Sequence, residues 1–171
     1  MVNGINTYQI ISTFDGSTET CSVSELSRSL KLNNTLCELD ADGTLIDCWP
    51  IVHETLVTFA VEFADYALKH YTKKKIPEAE ACITLTKQWL NNSDSVSAEE
   101  LMAAANAANA AAYGAYAATA VAYAADAAAN AANAADAAAT ATAAANAAGK
   151  SKEAELIRQG QFIVEYLRAA A

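Results

Sequence analysis

Residues 103–148 read AAANAANAAAYGAYAATAVAYAADAAANAANAADAAATATAAANAA, and 31 of these 46 residues are alanine. Alanine has the highest helix propensity of all residues but buries little apolar area. Ser97-Ala-Glu-Glu100 forms a capping-box pattern before this alanine tract, and Gly149 is a typical helix-terminating residue after it. We therefore expect alanine-rich helices over 97–148, whereas the large apolar side chains of the core lie mainly in residues 1–100 and 153–168.

One unbroken helix over this segment is too long for a compact chain of 171 residues. It would extend about 78 Å, whereas a domain of this size is roughly 40 Å wide. The rhythm of the polar residues also slips in phase between Tyr123 and Asp126. We expect two helices, roughly 98–122 and 127–148, with Gly114 as a second candidate for a bend.

Polar and aromatic side chains recur through the tract at intervals of three and four residues, which places them on one helical face. This stripe has two interpretations: the alanine faces pack and the stripe is solvated, or the stripe lines a groove or contact surface. Tyrosine and asparagine are common in recognition surfaces. The candidate partner- or ligand-binding residues are therefore Asn106, Asn109, Tyr113, Tyr116, Tyr123, Asp126, Asn130 and Asn133.

Further helices are expected on both sides of the tract. Pro50 is predicted to start a helix that ends near Tyr71, and Pro77 to open a second helix that runs through Leu90. The last helix is expected from about Lys152 to Arg168. The apolar stripe of the first of these helices consists of Val52, Leu56, Phe59, Phe63, Tyr66 and Ala67.

The first 49 residues have a different pattern. Tyr8–Thr13 alternates like a strand, Asp15-Gly16 favours a turn, and Ser22–Leu32 begins with a capping box. Asp40-Ala-Asp-Gly43 separates two short apolar runs and predicts a hairpin. The expected fold class is mainly α: an alanine-rich helical bundle over 50–171 with a small mixed α/β appendage over 1–49.

Charge and hydropathy restrict the partners. The formal net charge of −9 disfavours direct nucleic-acid binding. It also counts against a winged helix-turn-helix, which Ser22–Leu32 and the following hairpin partly resemble. Asn, Asp and Tyr interrupt the tract too often for a membrane span, so we expect no membrane contact and a cytoplasmic location. The basic run Lys73–Lys75 and the pair Lys150/Lys152 are interpreted as solvated helix ends.

The sequence offers little for catalysis. Asp40-Ala-Asp-Gly-Thr44 matches the first motif of haloacid-dehalogenase-type phosphatases, but the helices that follow leave no strands for the parallel sheet that this chemistry needs. The cysteines lack CxxC spacing and are interpreted as buried free thiols rather than zinc ligands. We therefore expect no enzyme activity, no cofactor and no metal. The four cysteines are Cys21, Cys37, Cys48 and Cys82.

From residue 59 to residue 168 the chain resembles the alanine-rich immunity proteins of bacterial toxin systems and related alanine-rich proteins of bacteriophages. The resemblance rests on Phe59-Ala-Val-Glu-Phe-Ala-Asp-Tyr-Ala-Leu68, Pro77-Glu-Ala-Glu80, Trp89-Leu90 and Ala98-Glu-Glu-Leu101. It continues through the tract to Glu155-Leu-Ile-Arg-Gln-Gly-Gln-Phe-Ile-Val-Glu-Tyr-Leu167. The resemblance implies a helical bundle that neutralises another protein without catalysis.

Three functions stay open at this point. The first is an inhibitor that binds a protein with a basic surface, either a toxin or, if the chain is encoded by a phage, a host-defence complex in the manner of an anti-CRISPR protein. The second is a phage sponge that sequesters a nucleotide-like immune signal between the alanine-rich helices in the host cytoplasm. The third is a structural or assembly module, for which a homo-oligomer is possible.

Overall fold

The computed structural model describes residues 7–71, 75–111 and 134–171. Within these ranges the fold is mainly α with an N-terminal antiparallel sheet, which confirms that part of the expected fold class. The strands are β1 (Thr7–Ser12), β2 (Thr18–Cys21), β3 (Asn34–Leu39) and β4 (Leu45–Pro50). The helices are α1 (Leu26–Ser29), α2 (His53–Tyr71), α3 (Pro77–Asn91), α4 (Ala98–Ala111), α5 (Ala134–Ala147) and α6 (Lys152–Ala170).

The four strands lie in the order β2-β1-β3-β4, and each neighbouring pair is antiparallel. The predicted β3–β4 hairpin is confirmed, because one Asp40 carboxylate oxygen accepts hydrogen bonds from the backbone N–H groups of Asp42 and Thr44. Gly43 takes a φ of 79° in the turn, which glycine adopts without steric cost. The phosphatase-like motif is thus a turn on the sheet. The β2 strand was not predicted from its sequence.

The predicted helix start at Pro50 is wrong. Pro50 is the last residue of β4, where it lies opposite Thr35, and the helix begins at His53. β4 is an edge strand, and an edge tolerates a residue that has no N–H to donate. Val52 consequently precedes the helix and is exposed, whereas Leu56 and the later apolar positions of α2 are buried as expected, with Tyr66 half-buried.

Two of the four expected free thiols are instead joined. Cys37 and Cys48 lie opposite each other across β3 and β4, with their Cα atoms 4.1 Å apart, and form a disulfide. Cys21 and Cys82 are buried free thiols as predicted, and burial raises the pKa of Cys21 to about 11. Disulfides persist mainly in oxidising compartments, so this bond does not favour the expected cytoplasmic location.

The ends of the tract follow the sequence prediction. Ser97 donates its backbone N–H to Glu100 at 2.8 Å, and the Ser97 hydroxyl accepts the Glu100 backbone N–H at 3.2 Å, which is the reciprocal capping box. At the other end, Gly149 takes a φ of 74° and α5 closes with the backbone bonds of a Schellman motif, Lys150 N–H to Ala145 C=O and Gly149 N–H to Asn146 C=O. The expected break near 123–126 and Gly114 lie outside the described residues.

The alanines act as close-packing positions. α2 packs along α5, and both helices bury alanines completely, among them Ala60 and Ala64 in α2 and Ala137 and Ala141 in α5. The distance between two helix axes depends on the side chains at the contact, so a methyl group on each side allows a short separation. None of the described helices is long and apolar enough to cross a membrane.

The sheet and the helices share one buried core. Its inner sheet face carries Ile10, Leu36 and Trp49, together with Glu38, whose carboxylate accepts two hydrogen bonds from the Arg168 guanidinium of α6. The division of the chain into an appendage over 1–49 and a bundle over 50–171 stays a prediction. The ion pair between Glu38 and Arg168 joins these two parts.

The closest backbone approach among the described glycines is at Gly160 in α6. A Cβ atom built at this position would lie 1.8 Å from the carbonyl oxygen of Val23, in the segment before α1. We predict that Gly160→Ala lowers the free energy of unfolding by about 1–3 kcal/mol, despite the better helix propensity of alanine. Urea denaturation measures this, with the exposed neighbour Gln161→Ala as control. Equal stability of the two variants would contradict the contact.

The alanine packing makes a second prediction. Ala141→Leu should lower the free energy of unfolding by about 1–3 kcal/mol, because three extra carbon atoms must fit at a completely buried position in α5. Ala107→Leu, at an exposed position of α4, is the matched control and should stay within about 0.5 kcal/mol of the parent. If both variants unfold at the same urea concentration as the parent, Ala141 is not in a closely packed contact.

Candidate functional site

Two of the eight candidate stripe residues lie in the described part of the chain. Asn106 and Asn109 are exposed on α4, whereas Leu101, Ala105 and Ala108 form its buried face. For this helix the polar side is therefore outside and the alanine side inside, as the solvated and contact-surface interpretations both require. The other candidates lie outside the described residues: Tyr113, Tyr116, Tyr123, Asp126, Asn130 and Asn133.

The exposed side of α4 also carries an apolar residue. Met102 is 48% exposed, and it lies three residues after Glu99 and four before Asn106 on the helix. These spacings place the three side chains and Asn109 along one strip, which we call the α4 surface. It combines a flexible thioether, two amides and a carboxylate, a composition suited to contact with another protein.

A cavity of about 420 Å³ lies between the C-terminal end of α2 and the N-terminal end of α6. We call it the α2–α6 cavity. Its volume is within the roughly 300–1,000 Å³ typical of sites for small ligands. From α2 it is lined by Tyr66, His70 and Tyr71, and from the start of α6 and the preceding turn by Lys150, Ser151, Ala154, Glu155 and Arg158.

A buried carboxylate organises this cavity. The Glu155 side chain is only 1% exposed and accepts four hydrogen bonds: from the Tyr71 hydroxyl, from Nε and Nη2 of Arg158, and from Nε2 of Gln159. Gln159 also donates to the Ala138 carbonyl oxygen and the Thr142 hydroxyl of α5. One carboxylate thereby connects α2, α5 and α6.

The network has an electrostatic consequence for Tyr71. Burial of the phenol, together with its hydrogen bond to the Glu155 carboxylate, holds the pKa of Tyr71 far above its ordinary value of about 10. The protonated Tyr71 hydroxyl is thereby favoured and donates its hydrogen to Glu155. Its role in the site is to hold Glu155 and to cover one side of the cavity.

Three planar groups lie against one another at the cavity wall. The Arg158 guanidinium carbon lies 3.6 Å from the centre of the Tyr66 ring, and the His70 ring centre lies 4.1 Å from it. The first contact is a cation–π interaction, which holds the guanidinium over the face of the phenol ring. Arg158 is thereby fixed by Glu155 on one edge and by Tyr66 on one face.

The cavity retains unused cationic donors. Arg158 bonds through Nε and Nη2, so its Nη1 donates to none of the described residues, and its side chain is 25% exposed. The Schellman turn after α5 places exposed Lys150 at the rim, and Ser151 caps α6 by accepting the Ala154 backbone N–H. The positive end of the α6 dipole therefore begins at the same wall.

Sequence reasoning did not find this cavity. From the sequence, Lys150 is interpreted as part of a solvated helix end. Glu155 and Arg158 are three residues apart on α6, and Tyr66 and His70 are four residues apart on α2. Each pair is therefore recognisable from the sequence as two neighbours on one helix surface. The two pairs come together because α2 packs along α5 and its side chains contact α6, as in the Phe59–Phe162 and Tyr71–Glu155 contacts, and no local pattern specifies this packing.

Among residues 7–71, 75–111 and 134–171, no three His, Cys, Asp or Glu side chains are grouped so that they could hold a metal ion. The α2–α6 cavity offers donors and aromatic faces, and its one carboxylate is saturated by hydrogen bonds. Such an arrangement is suited to holding a ligand.

Comparison of the chain with protein-family models, with curated proteins and with solved structures finds no match.

Glu155→Gln tests the network. We predict a loss of about 1.5–3 kcal/mol in the free energy of unfolding, because the new amide NH₂ would face donors from Tyr71, Arg158 or Gln159 inside a buried site. Glu153→Gln removes the same charge from an exposed position one turn or less away and should cost under about 0.5 kcal/mol. Equal urea midpoints for the two variants would show that Glu155 does not join the helices.

Proposed function

We propose that this protein is a non-catalytic inhibitor that binds another protein through the α4 surface. The observation that carries the proposal is that the α4 surface (Glu99, Met102, Asn106 and Asn109) faces solvent, while the opposite side of α4, mostly alanine, is buried. An exposed methionine beside amides is a feature of adaptable protein contacts. We further propose that the helices form an alanine-rich bundle whose task is to present this strip.

The charge of the chain supports a basic partner. The net charge is −9, and Glu99 and Glu100 are both exposed at the start of α4. Glu100 is held by the capping box, so its carboxylate is fixed at the helix end rather than mobile. Opposite charge accelerates encounter and disfavours wrong partners more than it adds affinity. A protein that normally binds nucleic acid has the complementary surface.

The resemblance to alanine-rich immunity proteins indicates the kind of partner. We propose that the partner is a bacterial toxin, or a defence complex if the chain is encoded by a phage. The non-catalytic part is supported by the turn geometry at Asp40, whose carboxylate oxygen is occupied by two backbone N–H groups and is part of a hairpin. The phosphatase chemistry needs this motif in a parallel sheet, whereas Asp40 follows a strand of an antiparallel hairpin.

The test is affinity capture followed by a matched pair of variants. The full chain is immobilised, proteins are captured from bacterial lysate, and the dissociation constant of each purified candidate is measured. Asn109→Arg should weaken binding of the true partner at least about tenfold, since it adds positive charge to the α4 surface facing a basic protein. Asn146→Arg adds the same charge at an exposed position near the end of α5 and should leave binding within about twofold.

The result is decided by the difference between the two variants. If every captured protein binds Asn109→Arg and Asn146→Arg alike, the α4 surface is not the contact. If no protein binds the full chain while light scattering shows stable self-association, the chain is an assembly module and the inhibitor proposal is wrong.

A further inference from the structure

The α2–α6 cavity has the properties of a second, separate site. It combines two cationic side chains, Lys150 and Arg158, with the aromatic rings of Tyr66 and His70 in about 420 Å³. None of its lining residues belongs to the α4 surface. We propose that this cavity binds a phosphate group carried on a planar ring, as in a purine nucleoside monophosphate.

The groups available to bind a phosphate are the cationic side chains of Arg158 and Lys150. Both oxygens of Glu155 are occupied, each by two donors, so the carboxylate is satisfied and nearly buried. The same bonds orient Arg158 and leave its Nη1 without a described acceptor. Lys150 makes no ion pair with any described residue. An anion entering the cavity therefore meets one oriented donor, Arg158, and one exposed donor, Lys150.

The groups available to stack on a planar ring are the aromatic side chains on the exposed side of the cavity. His70 is exposed and lies against Tyr66, which is itself held by the Arg158 guanidinium. Planar bases stack on such rings, and the contribution per base is comparable to that of a good hydrogen bond. The cavity volume accommodates a nucleotide but leaves little room for a long polymer.

This location differs from the one expected for a nucleotide-like ligand, which was the space between the alanine-rich helices. No basic residue occurs between Lys87 and Lys150, so the tract offers no cation to a phosphate. Lys150, in the turn after α5, supplies a positive charge next to the first turn of α6. The aromatic partners then come from α2 rather than from the tyrosines of the tract.

The test uses isothermal titration calorimetry of the full chain with AMP, adenosine and inorganic phosphate. AMP should bind with a dissociation constant below about 1 mM, and adenosine and phosphate should each bind at least about tenfold more weakly. If adenosine binds as tightly as AMP, the cavity does not recognise the phosphate and the proposal is wrong on that point. If phosphate binds as tightly as AMP, the cavity does not recognise the ring. No heat with AMP overturns the whole proposal.

Two matched pairs of variants locate the site. Lys150→Gln should weaken AMP about tenfold, whereas Lys152→Gln, which removes the same charge two residues away outside the cavity lining, should change it less than about twofold. His70→Ala should weaken AMP but not phosphate, with His53→Ala at the opposite end of α2 as its control. If both members of a pair weaken AMP equally, the ligand binds elsewhere and the assignment to the α2–α6 cavity is wrong. These outcomes are independent of the α4 surface.

Discussion

The helical part of the structure depends on one buried carboxylate. Glu155 receives donors from α2 and from its own helix, and Gln159 passes the network on to a backbone carbonyl and a hydroxyl of α5. Burying a charge is costly unless it is paired and its oxygens are bonded, and here each oxygen has two donors. The consequence is geometric: α5, whose buried face is mostly alanine, acquires a fixed position relative to α2 and α6 from a polar connection.

This constraint compensates for what alanine lacks. A helix that presents only methyl groups gains close approach but little specificity, because sliding by one turn places similar methyl groups in contact. The Glu155 network, the ion pair between Arg168 and Glu38, and the close approach of Gly160 to Val23 each fit one register only. The large apolar side chains of α2, together with those of the sheet, then supply the buried area.

The parts of this fold that were predicted from sequence are those that local chemistry determines. Ser97 and Glu100 bond to each other across three residues, and Asp40 bonds to the backbone of its own turn, so both motifs keep their geometry in any context. The start of α2 was predicted wrongly because Pro50 suits a helix N-terminus and an edge strand equally, and only the pairing with Thr35 decides between them. The Cys37–Cys48 bond and the α2–α6 cavity were missed because each joins residues whose proximity follows from pairing or packing. For the stripe, the exposed side of α4 agrees with the pattern, and its six later members remain predictions.

We propose that the exposed side of α4 contacts a protein partner. Hydrogen–deuterium exchange of the full chain, with and without its purified partner, tests it most directly, because amides covered by a partner exchange more slowly. We expect slower exchange on binding to be concentrated in Ala98–Ala111, while the strands of the sheet exchange as in the free chain. Protection confined to the sheet, with α4 unchanged, would contradict it.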